Sequence, residues 1–316
     1  MKIPLVGGRE IEPSELGFTL IHEHLKVESE AVKFQWPHLY NDELALKLAV
    51  DEVKKVMRFG VKSICDPTVM GLGRDIRFME RVVKETGIQL LAATGIYIYT
   101  DLPFYFVGRS VDEIADLFVH DIKQGIQGTK NRAAFIKFAT DEPGVTPDVE
   151  KVIRAAAIAH KETGVPIITH SNAHKRTGLD QQRILKEEGV DLGRVLIGHV
   201  GDSEDIEYVK KIIENGSYVG LDRYGLDLFL PIEKRNEVVL RLIREGYIDK
   251  IFLSQDYCCT IDWGIAKPEN KPKLAPKWSM SLLFEEVIPT LKRHGVKDEH
   301  IYLIFVENPK RFFSGK

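Results

Sequence analysis

Phe18-Thr19-Leu20-Ile21-His22-Glu23-His24 decides how this sequence is read. A short apolar, partly β-branched run leads into two histidines spaced two apart. Side chains at i and i+2 on a strand share a face. His22 and His24 are therefore expected to point the same way from the end of a strand spanning 18–22. The pattern recurs along the chain. Further apolar runs fall at 61–66, 90–97, 134–139, 166–170, 195–199, 217–221 and 251–256. Each is short enough to be a fully buried strand of a parallel sheet. Several carry polar residues at or near their ends: Lys137 in Phe135-Ile136-Lys137-Phe138-Ala139, His170 after Ile167-Ile168-Thr169, His199 after Leu196-Ile197-Gly198, and Asp256 after Phe252-Leu253-Ser254-Gln255.

Helical patterns separate these runs. Leu44, Leu48, Val53, Val56 and Met57 mark one apolar face; Ile114, Leu117, Phe118 and Ile122 a second; Val149, Val152, Ile153 and Ala156 a third. Residues 203–213, 233–243 and 282–291 supply more, with Ser203 expected to cap the first of them. Eight alternations predict an α/β fold, a (β/α)8 TIM barrel in one domain over 1–316, which satisfies every strand edge. An open doubly wound sheet is the alternative. Gly7-Gly8, between two short apolar pieces, predicts an N-terminal hairpin closing the barrel bottom. Near the other end, Asn308 is expected to cap a last helix with Pro309 in its first turn.

The composition narrows the function. The chain has 316 residues, 44 Lys+Arg against 47 Asp+Glu, and a net charge of −3. Such a balance argues against a nucleic-acid binder. Three cysteines, Cys65, Cys258 and Cys259, exclude a disulfide scaffold and point to a reduced, cytoplasmic protein. The first residues lack the apolar core of a secretion signal, and no stretch approaches a membrane span. Only 7 Asn and 7 Gln stand beside many Lys and Glu, a tilt towards a thermophilic source.

Four histidines, one lysine and one aspartate thus gather at the C-terminal ends of five strands, the catalytic face of this fold. The other six histidines, His174 among them, fall in helices or loops and are read as ordinary. Lys137 is the unusual member. An ammonium inside an apolar strand must be paired or give up its proton. One reading is a salt bridge to a rim carboxylate. The other is a neutral amine that takes up carbon dioxide, giving a carbamate able to bridge two cations. Such a donor set suits Zn, Co, Fe or Mn and is too nitrogen-rich for Ca or Mg. Gly71-Leu72-Gly73 lacks the third glycine of a phosphate loop and reads as a turn.

The order His22-x-His24, Lys137, His170, His199, Asp256 resembles the binuclear centre of the amidohydrolase superfamily. The whole chain is similar to the phosphotriesterase-like lactonases of hyperthermophilic archaea. Supporting runs are Asp66-Pro67-Thr68, Thr94-Gly95-Ile96-Tyr97, Ile168-Thr169-His170-Ser171 and Gly220-Leu221-Asp222-Arg223-Tyr224-Gly225. The resemblance implies two divalent metal ions. His22, His24 and Asp256 would hold one and His170 and His199 the other, bridged by carboxylated Lys137. It implies a homodimer that opens N-acyl-homoserine and other lactones by attack of a metal-bridging hydroxide. Tyr97 and Arg223 would act beside the reacting centre, and Asp256 would carry the proton. Organophosphate triesters would be side substrates. Tyr97, Ile98, Tyr99, Arg223, Leu226, Phe229, Cys258, Trp263, Ile265 and Trp278 would line the substrate pocket. Gln255 departs from the His or Asn of relatives, and Ile265 is another local difference. The alternatives are triester hydrolysis as the main activity, or an amidohydrolase acting on cyclic amides.

Overall fold

β-branched and apolar runs alternating with amphipathic helices give eight parallel strands. The computed structural model describes residues 2–262 and 270–315. A two-stranded antiparallel hairpin comes first, β1 (Ile3–Pro4) and β2 (Glu10–Ile11). The parallel strands are β3 (Thr19–Leu20), β4 (Ser63–Asp66), β5 (Gln89–Ile96), β6 (Phe135–Ala139), β7 (Ile167–His170), β8 (Val195–Ile197), β9 (Tyr218–Leu221) and β10 (Ile251–Leu253). They pair in sequence order from β3 to β10. Isolated parallel bridges His24↔Cys258 and Val27↔Ile261 join the segments beyond β3 and β10 and close the ring. The barrel expectation holds, as does the hairpin. No described helix is long and apolar enough to cross a membrane.

The two-residue period of the strands divides the barrel into layers. Phe135 on β6 and Ile168 on β7 face the interior with Leu91, Leu196, Tyr218 and Phe252. The hairpin residues Ile3, Leu5 and Ile11 close this layer from below, together with Phe312 and Phe313. Two residues onward on the same faces stand Lys137 and His170. The alternate residues Ile136, Phe138 and Ile167 pack outward under the helices. An apolar floor thus fixes the depth at which the polar residues begin.

Three local expectations are corrected. The regular ladders of the first and last strands stop at Leu20 and Leu253, short of His22 and Asp256. The helix expected from Ser203 begins at Ile206, and Asp205 caps it by accepting from Tyr208 N. Ser203 Oγ instead accepts from Asp205 N, bending the chain into that cap. Asn308 lies inside a continuous helical run, and its Nδ2 donates to the carbonyls of Ile248 and Ile251, each at 2.9 Å. A π-helical turn, Leu303–Glu307, precedes Pro309, and another, Leu283–Val287, precedes Pro289. Proline has no N–H, and its ring collides with the carbonyl four residues back. The widened turn moves that carbonyl aside, so neither helix has to end there.

Candidate metal centre

His22, His24, Lys137, His170, His199 and Asp256 meet at the C-terminal mouth of the barrel and line one cavity of about 440 Å³. The His22 and His199 rings lie 4.9 Å apart, His170 and His199 4.5 Å, and His22 and His24 5.6 Å. Donor atoms of His22, His199 and Asp256 all fall within 4.8 Å of one another.

Each histidine has one ring nitrogen tied to a neighbour and the other turned to the common centre. His22 Nδ1 lies 2.9 Å from Asp222 Oδ2, and His199 Nδ1 lies 3.0 Å from Asp222 Oδ1. His24 Nδ1 meets Thr68 Oγ1 at 2.7 Å, and that hydroxyl already donates to Asp66 Oδ1. Thr68 must therefore accept from His24. His170 is reversed: Nε2 meets Asp141 Oδ2 at 2.8 Å, and Nδ1 faces inward, 3.0 Å from the Tyr97 hydroxyl. A carboxylate or committed hydroxyl requires the proton on the tied nitrogen, which leaves a lone pair on the inward one. Burial, before any charge, lowers the pKa of His22, takes His199 well below its ordinary value and brings His170 to about 4. The His22, His170 and His199 rings are neutral in neutral solution.

Lys137 is 1% exposed, and its pKa falls to about 7 because burial disfavours the ammonium. Its Nζ sits 3.2 Å from His22 Nε2 and, among the described residues, within 4.0 Å of no carboxylate. The salt-bridge reading fails, and the amine is poised close to neutrality. Four inward imidazole lone pairs, an amine and a carboxylate fit a divalent cation of the zinc type.

The backbone that presents these groups is strained. His199 has φ 62° and Asp256 φ 52°, both in the left-handed region that side chains other than glycine rarely adopt. Buried carboxylates hold both. Asp222 Oδ1 accepts His199 N at 2.8 Å. Glu23 accepts Gln255 N at 2.8 Å and Tyr257 N at 2.9 Å, the amides flanking Asp256. Glu23 Oε1 also takes the Ser254 hydroxyl, which itself accepts His22 N. Burial pushes the Glu23 pKa well up while the three donors pull against it. At Gly220 a Cβ would come within 2.3 Å of Asp222 Oδ2, so the glycine makes room for the shared carboxylate.

Opposite the histidines, Arg223 Nε donates to Asp256 Oδ2 and its NH1 to Asp202 Oδ2, both at 2.9 Å. Burial works to lower the guanidinium pKa, but the Asp202 and Asp256 carboxylates outweigh it and hold it well above its ordinary value. Burial, then the neighbouring Tyr99, raises the Tyr97 pKa well above the ordinary phenol, so its hydroxyl stays a donor.

Of the expected pocket residues, Tyr97, Tyr99, Arg223, Leu226, Phe229, Cys258 and Trp278 line the cavity. Ile98 does not: it packs against the outer core, because its side chain alternates with those of Tyr97 and Tyr99. Trp263 and Ile265 lie outside the described residues. Gln255 turns away from the cavity and donates Nε2 to the Met280 carbonyl. His174, read as ordinary, stands on the cavity rim. The sequence reading missed Asp222, Glu23, Asp141 and Asp202. Asp222 alone had a local signal, since it directly follows a strand run as His199 does.

Residues 2–313 match the phosphotriesterase family. The chain is 71% identical to an aryldialkylphosphatase of Saccharolobus solfataricus, across 99% of this chain and 100% of that one. It is 45% identical to a phosphotriesterase homology protein of Mycobacterium tuberculosis, across 96% and 95%. A solved structure of the phosphotriesterase from Mycobacterium tuberculosis superposes with a TM-score of 0.94 at 42% identity, covering 99% of this chain and 98% of that one.

Proposed function

The chain belongs to the phosphotriesterase family and is a metal-dependent hydrolase, and from that premise we propose that its main reaction is the opening of lactones, with hydrolysis of triesters as a second activity. His22, His24 and Asp256 would hold one divalent cation, His170 and His199 another, and carboxylated Lys137 would bridge them. Bound there, such cations supply Lewis acidity that polarises an ester or phosphoryl oxygen and makes water a nucleophile at neutral pH. The chain's own residues do the rest. Tyr97 directs a protonated hydroxyl into the cavity beside His170 Nδ1, where it donates to the single oxygen on which a planar lactone carbonyl develops charge. Arg223 holds Asp256 by Oδ2 and keeps Oδ1 turned to the inward nitrogens of His22 and His24, 3.4 and 3.3 Å away, where the carboxylate would both ligate a cation and pass a proton to the departing alkoxide. Leu226, Phe229 and Trp278 give the acyl chain an apolar wall and exclude water from it.

The inward turn of all four histidines carries the hydrolase reading, and the Tyr97 hydroxyl carries the preference for a carbonyl. The name of the 71%-identical relative favours a second reading, triester hydrolysis as the main activity. Catalytic efficiencies on an N-acyl-homoserine lactone and on a paraoxon-type triester are expected to differ at least tenfold in favour of the lactone. The reverse order would establish the second reading.

The carboxylation of Lys137 has its own signature. Only the neutral amine attacks carbon dioxide. With a pKa of about 7, roughly a tenth of the chains carry it at pH 6 and nine tenths at pH 8. Reconstitution of metal-free protein with zinc at one fixed concentration of dissolved carbon dioxide is expected to be about tenfold faster at pH 8 than at pH 6. An equal rate at the two pH values would count against the carbamate.

A homodimer is supported by two segments that leave large apolar side chains in solvent. Phe34, Trp36 and Leu39 form one, and Phe104, Tyr105 and Val107 the other, with Phe104 90% exposed. Light scattering is expected to give twice the mass of one chain, and Phe104→Asp to shift the protein towards monomer.

A further inference from the structure

Arg235 belongs to none of the roles above, yet it is 2% exposed and every hydrogen bond of its side chain reaches a loop at the mouth of the barrel. It stands in the first turn of the helix Ile232–Arg244. Its Nε donates to the Leu230 carbonyl at 2.9 Å, and its NH2 to the Leu226 carbonyl at 3.4 Å. Its NH1 reaches the Gly201 carbonyl and its NH2 the Asp202 carboxylate, both at 2.7 Å. One planar guanidinium therefore ties the loop after β8 to the loop after β9. Those loops carry the groups that shape the cavity. Leu226 and Phe229 stand in the wall, and the Arg223 guanidinium lies 4.9 Å from the Phe229 ring centre. Asp202, gripped by Arg235 through Oδ1, grips Arg223 through Oδ2.

We propose that Arg235 is a positioning residue that fixes the 226–230 wall and the Asp202–Arg223 pair, and so sets which acyl or alkyl chains the cavity accepts. The inference deepens the proposed function and rests on it for the identity of the substrates. A fork of fixed shape can satisfy three carbonyls and a carboxylate at once. A lysine at the same place keeps the charge but has a single nitrogen, which cannot span two loops. The wall would then be free to move although the ion pair with Asp202 survives.

The test is Arg235→Lys, read in two ways. Hydrogen exchange at the Leu226 and Phe229 amides is expected to speed up at least tenfold, while exchange in β6 and β7 stays unchanged. The ratio of kcat/KM between a long-chain and a short-chain N-acyl-homoserine lactone is expected to shift at least fivefold, mainly through KM. A purely structural role would lower the folded fraction and leave that ratio untouched. An unchanged exchange rate overturns the inference, and so does a ratio within twofold of the parent. If neither lactone is turned over, the proposed function fails and this inference does not. The ratio is then read on dimethyl and diethyl aryl phosphates. If the variant does not fold, exchange in the unmodified protein decides. Leu226 and Phe229 amides as slow as those of β9 support the clamp, and exchange within seconds overturns it.

Discussion

Lys137→Ala is expected to lower kcat for lactone opening by about a thousandfold, equivalent to ~4 kcal/mol in the barrier. The reason lies in the layering of the barrel. Lys137 rises from the apolar floor two residues beyond Phe135, buried and without a carboxylate partner among the described residues. Its removal would delete the side chain that, on the carbamate reading, bridges the two halves of the histidine cluster. Alanine also leaves a gap of the size a small carboxylate fills. Acetate or propionate at millimolar concentration is therefore expected to restore at least tenfold of the lost activity. Metal content per chain, measured beside kcat, separates loss of metal from loss of chemistry. Wild-type turnover in the variant would end the carbamate reading, and absence of rescue would weaken it.

Asp222→Asn should have the next largest effect, a fall of about 10–100-fold in metal affinity or activity, the usual range for a group that orients a metal ligand. Asp222 is an acceptor on both oxygens, one for each of two histidines, and it also takes the His199 amide. Asparagine keeps the shape but replaces one oxygen with an N–H donor. That donor would face a ring N–H of His22 or His199. Whichever ring it meets must move its proton to the inward nitrogen and lose the lone pair offered to the centre. Titration of the metal-free variant with zinc should show one weakened site. Two sites of parental affinity would remove Asp222 from the account. The apolar floor lies below the exchanged atoms, so unfolding by denaturant should be affected less than metal binding.

Much of this was legible in the sequence. All eight strands lie on the apolar runs, and the six central side chains, carried at the ends of five of them, converge on one cavity. The reason is local. A strand buried on both faces must be apolar, so a histidine or lysine at its end stands out against its own neighbours, and the two-residue period gives the face it takes. Ile98 falls on the wrong face under that rule, and its placement in the outer core follows from the period already applied to His22 and His24. Ser203 and Asn308 have cap-forming side chains, but several adjacent residues compete for a cap, and the packing of the chain selects among them.

What the sequence by itself determined is the inventory: which side chains are available for chemistry, and at which end of which strand. The tertiary structure alone decided their state. Asp222 joins residues 22 and 199, Glu23 holds the turn around residue 256, and Arg235 ties two loops, each across tens to hundreds of positions. No periodicity records such pairings, because a hydrogen bond between distant segments leaves no trace in either segment's neighbours. The same holds for the left-handed backbone at His199 and Asp256. Isolated chains avoid that conformation, and it persists here because buried carboxylates from distant segments, Asp222 and Glu23, take up the amides at or beside it.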